Sequence, residues 1–148
     1  MERATTSPVL NRGNAENLLS GMLANYDDPV HVHLFVSGPG TITPDTVPAD
    51  FTEASFVGYA VKNIAAVDWV QALLSPNGNA VCGQAILSWV GGAIVAPGQT
   101  VHGYYVTNTA NTGLLFSEQF TDPVFFVAPG NFLNLTVQQP LLMVGSIA

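Results

Sequence analysis

Two histidines one residue apart, His31 and His33, have the clearest capacity for chemistry in this sequence. At positions i and i+2 of a strand both imidazoles point to one face, and His102 would supply a third nitrogen for a metal. Metal-binding barrels complete such a pair with a nearby glutamate. Here the next glutamate downstream is Glu53, beyond a proline-rich loop, and no fourth ligand is evident. The spacing fits better with two imidazoles on the polar face of a half-exposed strand, and no metal or other cofactor is expected.

Other chemistry finds less support. Cys82 stands in the strand-like run Ala80-Val81-Cys82-Gly83, with no histidine beside it to draw off a proton. A free cysteine in that setting is a small buried hydrophobe. The Gly-x-Ser-x-Gly turn that presents a serine nucleophile is absent from the sequence. Among the carboxylates, Asp27 and Asp28 precede Pro29 at a helix end, where turn formation explains them. Asp50 and Glu53 flank Phe51-Thr52, where bonding to local backbone is the simpler account. Asp68 and Glu118 are candidates for a buried or interface pair. Gly38-Pro39-Gly40 lies between a strand and a loop rather than ahead of a helix, so it does not form a phosphate cradle. The aromatic residues Phe35, Phe56, Tyr59, Trp69, Trp89, Tyr104, Phe116, Phe120 and Phe125 fall mostly inside strand patterns and read as core, although Trp69 and Trp89 could instead stack on sugars. No residue qualifies as a catalytic group, and the chain is expected not to be an enzyme.

The elements that position these side chains follow from periodicity. Asn14 caps an expected short helix over residues 15–25, in which Leu18, Leu19, Met22, Leu23 and Tyr26 share one face. From Val30 the period falls to 2: Val30, Val32, Leu34 and Val36 alternate with His31, His33 and Phe35. Further strands are expected at 54–61, 66–74, 80–90, 101–107, 114–120 and 132–138, with a last one at 141–144. Turns separate them, among them Asn111-Thr112-Gly113 and the near copies Val95-Ala96-Pro97-Gly98 and Val127-Ala128-Pro129-Gly130, where Pro-Gly suits a type II turn. The pattern predicts an all-β fold, an antiparallel β-sandwich or jelly roll with one short N-terminal helix. Residues 1–13 read as a flexible N-terminal arm and residues 14–148 as one sandwich domain.

Composition narrows the partners. The 148 residues are 48% hydrophobic and 9% charged, with a net charge of −7, enough chain for one core. Arg3, Arg12 and Lys62 are the only Lys or Arg and do not cluster, which excludes a nucleic-acid footprint and docking on anionic membranes. The opening residues lack the apolar core of a signal peptide, and no apolar run is long enough to span a bilayer as a helix. The chain is therefore expected to be made in a cytoplasm. Between Asp68 and Glu118 there is no Asp, Glu, Lys or Arg. Charged side chains are the usual guards of free strand edges, so this region is expected to be protected by other subunits.

Three segments resemble small virion proteins of tailed bacteriophages, some of which act as capsid decoration (cement) proteins. They are Val47-Pro48-Ala49-Asp50-Phe51-Thr52-Glu53-Ala54-Ser55-Phe56-Val57-Gly58-Tyr59, Val101-His102-Gly103-Tyr104-Tyr105-Val106-Thr107, and Leu114-Leu115-Phe116-Ser117-Glu118-Gln119-Phe120 with the later Leu135-Thr136-Val137. Many such proteins carry more Lys and Arg than this chain. The resemblance implies a non-enzymatic sandwich on the outside of a capsid, with the major capsid protein and further copies of itself, as a homotrimer, for partners. Arg3 and Arg12 of the arm, with Trp69 and Trp89, are the candidate contacts. The alternatives are a tail or fibre adhesin that binds host-surface carbohydrate, and a jelly roll that binds a small ligand or metal through His31, His33 and His102.

Overall fold

A computed structural model describes residues 29–69, 84–93 and 98–138, with short strand pieces at 9–10, 73–74, 80–81 and 146–147. The expected helix at 15–25 and strand at 141–144 lie outside the described residues, as do Arg3, Arg12, Asp27, Asp28 and Cys82. The described strands are β1 (Val9–Leu10), β2 (Val30–Ser37), β3 (Thr52–Glu53), β4 (Lys62–Ile64), β5 (Leu73–Leu74), β6 (Ala80–Val81), β7 (Gln84–Val90), β8 (Gln99–Thr107), β9 (Leu114–Phe126), β10 (Phe132–Gln138) and β11 (Ser146–Ile147). The fold is all-β and of sandwich type, with its long strands paired antiparallel.

The chain divides into two compact units. One comprises Met1–Tyr26, Ala66–Ala85 and Thr136–Ala148. In it β1 runs parallel to β11, β5 pairs antiparallel with β6, and Ala66–Asp68 forms a 3-10 turn ahead of the buried Trp69. Of the expected strand at 66–74, residues 66–68 form this turn and Leu73–Leu74 is strand, while residues 70–72 lie outside the described residues.

The other unit comprises Asp27–Ala65 and Ile86–Leu135. Its main sheet has the order β3-β2-β8-β9, with β4 also pairing to β2. One face of β2 presents Val30, Val32 and Leu34, opposite Ile64, Val106 and Tyr104, all buried. The other face presents His33 and Phe35 opposite Tyr105 and Gly103. Gly103 has a steric reason: a Cβ there would lie 2.2 Å from the Glu118 carbonyl oxygen and 2.6 Å from the Phe35 ring. The Phe35 ring lies where that side chain would be. Phe51, delivered by the 3-10 turn Pro48–Asp50, packs on Phe35 and Tyr105 to close this second face. The centre of the sheet is therefore buried on both sides, which corrects the expectation of a half-exposed strand with a polar face.

Two further departures have local causes. The expected strand at 54–61 is instead an irregular turn between β3 and β4, in which the Ala54 amide donates to the Leu34 carbonyl and the Ser55 amide to the Gln99 side chain. Phe56 and Tyr59 are placed from that turn, their rings 5.4 Å apart. β9 runs on to Phe126 through Pro123. Between Gly103–Gln119 and Val101–Val124, β9 advances five residues against two on β8, so it bulges where Pro123 has no amide to offer. The turn at Ala128-Pro129-Gly130-Asn131 is as expected: Gly130 has φ of 83°, and the Asn131 amide donates to the Ala128 carbonyl at 3.2 Å. It leads into β10, whose bounds are those expected from its period.

Candidate functional site

β2, β3 and β8 bring the chemistry-bearing side chains together on the face that Phe51 covers. His33 is 6% exposed, its ring stacked on Tyr105 at 4.6 Å and 5°. Its Nδ1 lies 2.9 Å from Glu53 Oε1, and the Tyr59 hydroxyl donates to the same oxygen at 2.6 Å. The Leu34 amide in turn donates to the Tyr59 oxygen at 3.2 Å. Glu53 lies opposite Phe35 across the β2–β3 pair, so its carboxylate reaches His33 on the diagonal.

On the other side of the ring, His33 Nε2 lies 3.1 Å from Thr107 Oγ1 and 3.3 Å from Asn111 Oδ1. Thr107 donates to Asn111 Oδ1 at 2.8 Å, and His31 Nδ1 lies 2.7 Å from that oxygen. Asn111 adopts φ of 58°, a left-handed conformation that asparagine tolerates better than most residues. The loop around it is fastened by Asn108 Oδ1, which accepts from the Thr112 and Gly113 amides.

Carboxylate, imidazole and hydroxyl thus stand in the order of a nucleophile relay. The hydroxyl, however, belongs to Thr107, which is 0% exposed and already donates to Asn111. No substrate atom reaches it. The cluster is a polar tie that fastens β3, the turn carrying Tyr59 and the 108–113 loop to the central strands. Burial, and after it the Glu53 carboxylate, hold the Tyr59 phenol well above its ordinary pKa, and the same two causes push Tyr105 up to about 12. His102 is not part of this cluster. It lines a depression of about 240 Å³ with Gly38-Pro39-Gly40 and Gln119. Among the described residues no three His, Cys, Asp or Glu side chains stand close enough together to hold a metal.

A second feature lies at the β9 bulge. The buried Tyr104 donates to Glu118 Oε2 at 2.8 Å, and burial followed by that carboxylate raises its pKa well above the ordinary value. A groove of about 350 Å³ runs beside this pair, lined by Glu118 and Asp122 with Phe120, Val124, Leu133 and Leu135. Residues from β9 and β10 both contribute to it.

The residues singled out in the sequence fall as follows. Trp89 is 1% exposed and its indole N–H donates to the Ala60 carbonyl at 2.8 Å, so it is a core residue with no face left for a sugar or a partner. Trp69 is likewise buried. Asp50 bonds the local backbone, its Oδ2 accepting from the Val47 amide at 2.9 Å. Glu53 does not: its partners are His33 and Tyr59, an arrangement hidden in the sequence because it depends on the β2–β3 register. Asp68 and Glu118, candidates for a buried or interface pair, are each exposed. The exposed apolar side chains carry no signal in the sequence, since a strand's periodicity does not say which of its faces is covered. Ile86, Val90 and Phe132 project from the outer face of the β7–β10 ribbon, in which Ser88 donates to Asn134 and the Gly91 amide to the Asn131 carbonyl, a register that sets Val90 beside Phe132. Comparison with protein-family models, with curated proteins and with solved structures finds no match to this chain.

Proposed function

We propose that the chain is a non-enzymatic structural protein of a tailed-phage virion, a decoration (cement) protein that adheres to the outer surface of the major capsid protein lattice and stabilises it as a homotrimer. The observation that carries this reading is the outer face of the β7–β10 ribbon, where the paired Val90 and Phe132 are 57% and 65% exposed and Ile86, one Ser88–Asn134 rung away, is 75% exposed. Single exposed apolar residues are ordinary, but several gathered on one hydrogen-bonded face mark a contact surface. Its β7 side belongs to the charge-free stretch between Asp68 and Glu118, and no Asp, Glu, Lys or Arg follows Asp122 on its β10 side, so a partner that covers this face desolvates no charge from either strand. The closure of the His33 cluster also favours contact over catalysis, since the hydroxyl that faces the imidazole, Thr107 Oγ1, belongs to a fully buried residue. The capsid as partner comes from the resemblance of the three sequence segments.

The test is co-sedimentation with capsids that lack their decoration protein. The chain is expected to pellet with them and to raise their melting temperature, and Val90→Asp with Phe132→Asp is expected to abolish both while leaving the far-ultraviolet circular dichroism unchanged. Failure of the parent chain to pellet, or full binding by the variant, would remove this reading. Light scattering on the free chain tests the oligomer separately: a monomer at tens of micromolar (~10⁻⁵ M, about 7 kcal/mol of association) counts against an intrinsic trimer.

A further inference from the structure

We propose that the outer edge of β9, with the groove beside it, takes up an extended Lys- or Arg-bearing segment of a partner protein as an added strand. β9 is the last strand of its sheet, and among the described residues it pairs only with β8. Among the described residues its other side carries backbone donors and acceptors that no strand takes, spaced to receive one. Residues 114–119 contain no Lys and no Pro, and their one charged guard, Glu118, is an anion that attracts a basic strand rather than repelling it; the bulge and Pro123 protect only the far end.

The chemistry of the segment follows from the groove. Glu118 and Asp122 line it, and among the described residues neither meets a cation, the one ion pair there being His33 with Glu53. Lys62 sits on β4, beyond β2 and β8 from β9. A Lys or Arg on the added strand would place its charge beside these carboxylates and its methylene stem over Phe120, Val124 and Leu133. Residues two apart on a strand share a face, so a basic residue alternating with an apolar one on that face fills the groove. A second copy of this chain fits less well. Antiparallel pairing of β9 with itself about Ser117 would bring the two Glu118 side chains to about 7–8 Å, inside the screening length. Both chains also carry a net charge of −7.

The experiment measures fluorescence anisotropy of a labelled octapeptide, two repeats of Thr-Lys-Thr-Val, against the full chain. Saturable binding that weakens with salt is expected, and none for the same peptide with Glu in place of Lys. Glu118→Gln with Asp122→Asn should weaken it about tenfold and remove most of the salt dependence, the glutamine still accepting the Tyr104 hydrogen bond. Because that variant could fold poorly, a peptide N-methylated at alternate residues is tested on the parent chain, and it should bind no better than the Glu peptide. Equal binding of Lys and Glu peptides, indifference to N-methylation, or no binding at millimolar peptide would each overturn the proposal. Self-association of the chain that Leu115→Lys abolishes would overturn it in favour of a second copy. The probe contains no capsid, so a chain that pellets with capsids but ignores the peptide loses this inference alone, and the converse result loses only the proposed function.

Discussion

Raising the pH through the tyrosine range should unfold this protein cooperatively. Tyr59, Tyr104 and Tyr105 all have pKa values above the ordinary value of 10, in each case through burial first and a carboxylate second. A raised pKa means that the folded state holds the proton more tightly than the unfolded chain does. The stabilisation is complete below pH 10 and is lost as pH climbs toward the folded value, at about 1.4 kcal/mol per pH unit for each phenol. For Tyr105, whose pKa is pushed up to about 12, the loss by pH 12 is about 2 kcal/mol, and Tyr104, raised further and as deeply buried, loses somewhat more. Together they remove about 5 kcal/mol, comparable with the whole stability of many domains. Tyr59 is half-buried and adds a smaller, partly screened share. The assay follows tyrosinate absorbance and circular dichroism together in a Tyr26→Phe background, so that only the three described phenols report. Both signals should change in one step between pH 10 and 12, and Tyr104→Phe with Tyr105→Phe should move that step to higher pH, because phenylalanine has no proton to lose. Tyrosinate appearing near pH 10 in a chain that keeps its circular dichroism would refute the reasoning, since the phenols would then ionise without opening the core.

The remaining predictions concern the polar tie and the sheet. His33→Ala should cost about 2–4 kcal/mol by denaturant titration, because it removes a buried stacked ring and leaves Thr107 and Glu53 short of a partner; a near-neutral result would place the imidazole in solvent. Glu53→Gln should lower the Tyr105 pKa, since a neighbouring negative charge that holds the phenol neutral is removed. Asn111→Ala should destabilise more than Asn111→Gly by about 1 kcal/mol, as both lose the shared Oδ1 but only alanine is strained at φ of 58°. Gly103→Ala should cost about 3 kcal/mol or more and shift the β8–β9 amide resonances, because the atom it would crowd at 2.2 Å is backbone and cannot rotate away.

What the sequence determined by itself is local and periodic. The alternation of Val30, Val32 and Leu34, the bounds of β10 and the Pro129-Gly130 turn all follow from short-range rules, since strand period and turn dihedrals belong to consecutive residues. The all-β class follows from the same patterns repeated along the chain. Nothing in those rules says which strand lies beside which. The β2–β3 register joins Glu53 to His33 across 20 residues, and Thr107 and Asn111 come to the same imidazole from more than 70 residues away. The lone spacing of His31 and His33 therefore suggested a polar face, whereas tertiary packing covers that face with Phe51 and turns one imidazole into a buried tie. The strand misread at 54–61 is likewise a turn, in which the Ala54 and Ser55 amides donate to the Leu34 carbonyl and the Gln99 side chain. Alternation of apolar residues records only which side chains reach the core. Whether a strand or a turn carries them there is decided by distant donors and acceptors, which only the folded chain brings into range.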